Sequence, residues 1–119
     1  MDKLISWVEI PTTDFTRAVT FYNHIFNLSM EALDFGCEKM AFFPSGEGAI
    51  FHSADSTPSS GGVIVSLLVP DTIEATLLRV EKHGCKILIP KTKIEAEGRG
   101  YFANIIDSEG NRIGLYENI

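Results

Sequence analysis

Apolar and polar residues alternate through Leu4–Ile10, with Ile5, Trp7 and Glu9 on one side and Ser6, Val8 and Ile10 on the other. That period of two predicts a strand. Pro11 closes it. From Phe15 the period changes. Phe15, Ala18, Val19, Tyr22, Ile25 and Phe26 fall on one face of a helix. Asp14 stands where a carboxylate can accept a free first-turn N–H, and Asn27 suits a left-handed stop. Short strands are expected around Leu28–Leu33, Glu38–Phe43 and Gly48–His52, separated by Asp34–Gly36 and Pro44–Glu47.

The same sequence of patterns then returns. A displacement of 57 residues lays Asp14 on Asp71, Val8 on Val65, Ile10 on Leu67, Ala18 on Ala75 and Phe21 on Leu78. Val63–Val69 is the second copy of the first strand. Asp71 and Glu74 have the spacing of a capping box, and the helix after them runs to about His83 before Gly84. Strands are expected at Cys85–Ile89, Tyr101–Ile106 and Arg112–Glu117, with a charged loop at Lys91–Gly100 and a hairpin loop at Asp107–Asn111. Ser53–Gly62 is small, polar and linker-like. The expected organisation is one α+β domain of two β-α-β-β-β modules, residues 1–52 and 63–119, joined by linker 53–62. Neither half can bury both sheet faces alone, so the two should form one cupped mixed sheet with the helices outside. Parity puts Val8, Ile10, Val65, Leu67 and Val69 under the helices, and Trp7, Glu9, Ile64 and Ser66 in the cup.

Composition narrows the partners. The 119 residues carry a net charge of −6, with three bases against eight acids in residues 1–60. An acidic chain is a poor match for a nucleic-acid backbone or an anionic membrane, so neither is expected as a partner. No apolar run approaches the roughly 20 residues of a membrane span. The start, MDKLISWVEIP, has none of a signal peptide's regions, and Cys37 and Cys85 have no metal-type spacing. Reduced thiols and a cytoplasmic setting are the expectation.

WVEIPTTDFTRAVTFYNHIF, VPDTIEATLLRVEKHGCKILIPKT and GYFANIIDSEGNRIGLYE together resemble the vicinal oxygen chelate superfamily of glyoxalase I, bleomycin-resistance proteins and extradiol dioxygenases. The nearest likeness is to its glyoxalase-like members of unassigned substrate. The resemblance implies a small-molecule ligand in the cup and a homodimer, with exposed apolar surface along Phe42–Phe43 fitting an interface. It also implies a metal held by His and Glu from four strands. By register those positions are Trp7, Ile64, Gly114 and a fourth near Ile50 or His52. Trp, Ile and Gly side chains cannot bind a divalent cation, so no tightly held metal is expected.

Glu9, mid-strand beside Trp7, is the candidate general base or polar anchor. Its plainer reading is a carboxylate paired with Arg112 or Lys39, or facing solvent. His52, Trp7, Ser66, Asn104, Tyr116 and Arg99 are the candidate ligand contacts. Arg99 would cover the cup mouth and hold an anionic group; an exposed loop cation is the simpler alternative. His24 and His83 read as ordinary exposed positions on helices. Three functions follow: a glyoxalase-like binding protein or enzyme without the usual metal, a metal-dependent lyase or isomerase using Glu9 and His52 as unusual ligands, or a ligand-sequestering resistance protein.

Overall fold

The computed structural model describes residues 3–119, so the first two residues of the module expected over 1–52 lie outside the described residues. Module one runs β1 (Val8–Pro11), α1 (Phe15–Ile25), β2 (Leu33–Asp34), β3 (Glu38–Phe42) and β4 (Gly48–Ser53). Module two runs β5 (Val65–Leu68), α2 (Ile73–Lys82), β6 (Ile87–Lys93), β7 (Tyr101–Ile106) and β8 (Arg112–Glu117). The fold is α+β, and each module makes one mixed four-stranded sheet, in orders β1-β4-β3-β2 and β5-β8-β7-β6. In each, the first strand lies parallel to the last, Val8 beside Gly48 and Val65 beside Ile113. Val8 and Val65 therefore hold equivalent places, as the repeat requires.

The helices keep the repeat less strictly. Phe15, Ala18 and Tyr22 are buried on α1; Ile73, Thr76 and Val80 are buried on α2. That is a displacement of 58, one more than in the strands. Leu78, laid on buried Phe21 by the sequence, is 62% exposed. The cap moves too. Asp14 accepts the Arg17 N–H as expected, but on α2 the cap is Thr72, which accepts the Ala75 N–H, rather than Asp71. The cause is an additional residue between strand and helix in module two. It leaves Asp71 outside the helix, where Arg79 grips both its oxygens at 3.0 Å. Glu74 turns to Lys91 and closes no capping box.

Strand bounds shift from expectation in several places: β1 is Val8–Pro11 rather than Leu4–Ile10, β5 is Val65–Leu68 rather than Val63–Val69, and β6 takes in Lys91–Lys93, expected in a loop. Leu28–Leu33 is mostly irregular, with only Leu33–Asp34 paired, and the strand expected at Cys85–Ile89 is instead Ile87–Lys93. Asn27 takes the left-handed conformation that stops α1 (φ 53°), and Gly84 does so after α2 (φ 72°).

One core joins the modules. Ile10, Phe21, Tyr22, Ile25 and Ile50 pack with Ile73, Val80, Ile105, Ile113 and Leu115. Apolar burial of this kind contributes about 25 cal/mol per Å². Polar bonds add direction. The buried Tyr22 hydroxyl donates to Asp107 Oδ2 at 2.6 Å; burial first, then the Asp107 charge, holds its pKa well above the ordinary tyrosine value. Asn111 donates to the Pro11 carbonyl at 2.8 Å and accepts the Ser59 N–H. The Asp107–Asn111 hairpin thus fastens module two to α1, β1 and the linker.

Candidate functional site

In both sheets the side chains turned away from the helices form the cup face. On β1 these are Glu9 and Pro11, because Ile10 is in the core. Register carries the same face to Ala49 and Phe51 on β4, and to Met40 and Phe42 on β3. Trp7, just before β1, lies with them. Its ring meets Phe42 edge-on at 5.9 Å, and Phe42 meets Phe35 at 6.5 Å. The Trp7 indole N–H donates to Glu9 Oε2 at 3.2 Å. Glu9 is exposed and, among the described residues, has no cation within ion-pair distance. Neither Arg112 nor Lys39 is its partner.

On module two the cup face is more polar. Ile113 and Leu115 enter the core, so Arg112, Gly114 and Tyr116 alternate onto the other side. Ser66 pairs with Gly114, and Gly114 with Asn104. Asn104 is 6% exposed; its Oδ1 accepts Arg112 Nε–H at 2.9 Å and its Nδ2 donates to the Ala103 carbonyl. Tyr116 accepts the Gly100 N–H at 3.1 Å and so holds the end of the loop between β6 and β7. A Cβ on Gly100 would collide with the Glu117 carbonyl, so only glycine allows this approach. Arg99 is exposed, its backbone N–H bonded to the Ala96 carbonyl.

His52 is not in the cup. On β4 it lies opposite Lys39, two residues from core Ile50, and therefore on the helix side. Its Nδ1–H donates to the Thr12 carbonyl at 2.9 Å. A metal held by Glu9 and His52 would need two side chains on opposite faces of one sheet. The lyase reading that paired them loses its ligand set.

The ordinary metal positions can also be fixed. Glu9 and Ser66 are equivalent, and they face Ala49 and Gly114. The fourth position is therefore Ala49, not Ile50 or His52. Trp7, Ala49, Ile64 and Gly114 offer no side-chain donor suited to a divalent cation. Ser66 further fills the space a side chain at 114 would enter, since a Cβ there would meet its hydroxyl. Among the described residues no three His, Cys, Asp or Glu side chains gather closely enough to share an ion. These residues do not fit the superfamily's metal.

The sequence reading missed Arg112 as a cup residue and missed the pair His24–His83. The two imidazoles meet across the helices at 2.6 Å, Nδ1 to Nε2. Strand parity with Gly114 and Tyr116 could have found Arg112, but no local pattern marks the histidine pair, whose members stand 59 residues apart.

Two linked β-α-β-β-β modules, each with a first strand parallel to its last, define the glyoxalase-like class of fold. The sequence model of the Glyoxalase/Bleomycin resistance protein/Dioxygenase superfamily matches residues 4–115, and the chain belongs to that superfamily. No curated protein matches it in sequence. Among solved structures it is similar to a glyoxalase/bleomycin resistance protein from Albidiferax ferrireducens (15% identity, TM-score 0.72, covering 98% of this chain and 100% of that one). It is also similar to the fosfomycin resistance protein FosX from Listeria monocytogenes (17%, 0.69, 100% and 96%). A third likeness is to an E144Q mutant of glyoxalase I from Zea mays (19%, 0.69, 94% and 46%). At these identities the structural likenesses establish the fold. No helix among the described residues is long and apolar enough to cross a membrane.

Proposed function

We propose that this chain is a glyoxalase-like small-molecule-binding protein that works without the superfamily's usual metal. The observation that carries this is the cup face of module one. It holds a carboxylate, Glu9, that accepts an indole N–H and stands beside Trp7 and Phe42, where the equivalent metal positions carry no donor. An aromatic surface with one oriented acid binds an apolar body and fixes one polar end. Where turnover follows, Glu9 is the group able to take a proton from a bound ligand.

A homodimer belongs to this reading. β1 and β5 each pair on one side only, which leaves two open edges. Val63 and Ile64 just before β5 and Leu68 on it are exposed, and Trp7 and Phe42 are exposed on module one. Exposed apolar side chains beside open strand edges favour a second chain. The exposed aromatic row Phe35, Phe42 and Trp7 also supports a second reading, a protein that sequesters its ligand without converting it.

Trp7 is the chain's one tryptophan, so intrinsic fluorescence reports on the cup directly. Chelator-treated protein should give saturable fluorescence changes with members of a library of small aldehydes, acids and aromatics. Near-stoichiometric metal that survives dialysis, and on which all such binding depends, would overturn the proposal. Sedimentation should show a dimer at micromolar concentration; monomer alone would remove that part. Consumption of the bound compound separates an enzyme from a sequestering protein.

A further inference from the structure

Arg112 is the one arginine of the chain that is both anchored and uncompensated among the described residues. Arg17 spends its guanidinium on Glu109, with Nε and Nη2 each bonded to a carboxylate oxygen. Arg79 holds both oxygens of Asp71, the Ile25 carbonyl and the Thr76 hydroxyl. Arg99 is exposed on its loop. Arg112 is half-buried, and its Nε–H is committed to Asn104, a neutral acceptor. Asn104 has no freedom to turn, because its amide nitrogen is bonded to the Ala103 carbonyl. The Arg112 backbone N–H is held by the Ser59 carbonyl. Backbone and side chain are therefore both fixed. Among the described residues, no carboxylate lies within ion-pair distance, and the two terminal nitrogens have no protein partner.

A cation fixed by neutral groups and left with an open pair of donors is arranged for an anion from outside. With Nε occupied, the terminal nitrogens present a planar pair of N–H groups, the geometry that binds two oxygens of a carboxylate or phosphoryl group. Gly114, two residues along β8 from Arg112, and Ser66, its partner on β5, lie on the same face, and the exposed Ser66 hydroxyl is a further donor. Gly114 carries no side chain, and the Ser66 hydroxyl lies over it. The rest of the chain is acidic, so a free positive centre here is not part of a general basic surface.

We infer that Arg112, positioned by Asn104 and assisted by Ser66, is an oxyanion-binding subsite on the module-two cup face, and that the ligand carries a carboxylate or a phosphoryl or phosphonate group. This rests on the reading of the cup as the ligand site and specifies the chemistry of one end of the ligand.

The test is NMR titration of the intact protein with methylphosphonate, propionate and the neutral analogue propionamide at constant ionic strength. The Arg112 Nε–H and the Ser66 and Gly114 amides are the reporters. Either anion should shift them saturably, and the better of the two identifies the ligand's head group. Propionamide should leave them unmoved. R112Q should weaken binding by about tenfold or more, and R112K should restore part of it, because Lys keeps charge but loses the planar pair. Equal response to anions and propionamide, or anion shifts unchanged in R112Q, would overturn the subsite. Neutral compounds that still perturb Trp7 would then leave the broader binding function standing. Silence of both Arg112 and Trp7 toward every compound would remove both. Should R112Q not fold, the comparison of anions with propionamide on the unmodified protein still decides.

Discussion

The two cup faces share a backbone plan and differ in chemistry. Module one offers Glu9, Trp7, Phe35 and Phe42: an acid on an aromatic ground. Module two offers Ser66, Asn104, Arg112 and Tyr116: a base among hydroxyl and amide groups. Equivalent positions carry Glu9 against Ser66 and Ala49 against Gly114. A repeated fold fixes where side chains point, while each copy remains free to choose what they are.

The largest expected effect comes from a position where the copies differ in backbone contact. Gly48 and Ile113 are equivalent, facing Val8 and Val65. Ile113 carries a core side chain, whereas a Cβ on Gly48 would strike the Val8 carbonyl. Gly48→Ala should therefore cost about 3 kcal/mol in urea unfolding, since backbone must move to admit it. A neutral result would mean that β1 lies no closer to β4 than β5 does to β8.

Next come the helix entries. Both helices receive a carboxylate from module two's final hairpin. Glu109 accepts the Thr13 and Asp14 N–H groups at 2.9 and 2.7 Å and pairs with Arg17. Glu117 accepts only the Ile73 N–H, at 2.7 Å, and shares Lys91. Burial alone would raise the Glu109 carboxyl, but Arg17, the backbone N–H groups and Ser108 prevail and lower it to about 2. A depressed carboxyl contributes stability above its unfolded value, near 4.5, and loses it as pH falls toward about 2. Glu109→Gln should cost about 1–2 kcal/mol at neutral pH and flatten the stability profile across that window. Glu117→Gln should cost less. Reversal of that order would break the comparison.

Legibility followed the range of the interaction. Strand and helix alternation, the stops at Asn27 and Gly84 and the Asp107–Asn111 turn are local, and the sequence carried them. The face of His52 was not legible, because β4 is buried at four successive positions and so shows no alternation. The displaced α2 cap was hidden because Asp71 and Thr72 are both good capping residues and only the chain path chooses between them. Arg112 entered the sequence reading only as a partner for Glu9, whereas its side chain is held by Asn104 on the facing strand.

The helix pair gives a smaller effect. Burial, then the neighbouring His24, lowers the pKa of His83 from 6.5. A lowered histidine favours its neutral form in the folded state, so its contribution is present above about 6.5 and is lost as pH falls through the lower folded value. His83 is largely exposed, so the loss should be a fraction of a kcal/mol. His83→Gln should remove that part of the slope between pH 7 and 5. An unchanged slope would show that the two helices meet without electrostatic coupling.

The smallest expected change in stability is at Glu9, and there the smallness is the informative result. Its carboxylate is exposed and accepts one bond, from the indole N–H of an exposed Trp7. Exposed bonds of this kind exchange readily with water. Glu9→Gln keeps an acceptor oxygen for the indole and should alter unfolding stability by no more than about 0.5 kcal/mol. Its effect on function should be different. Gln cannot take a proton and carries no charge, so turnover should fall if Glu9 is a base, and binding should weaken if Glu9 is an anchor. Fluorescence titration separates the two, because loss of a base leaves affinity for Trp7-reported ligands in place. If Glu9→Gln changes neither affinity nor turnover, module one contributes only an aromatic wall, and the functional asymmetry between the two faces disappears.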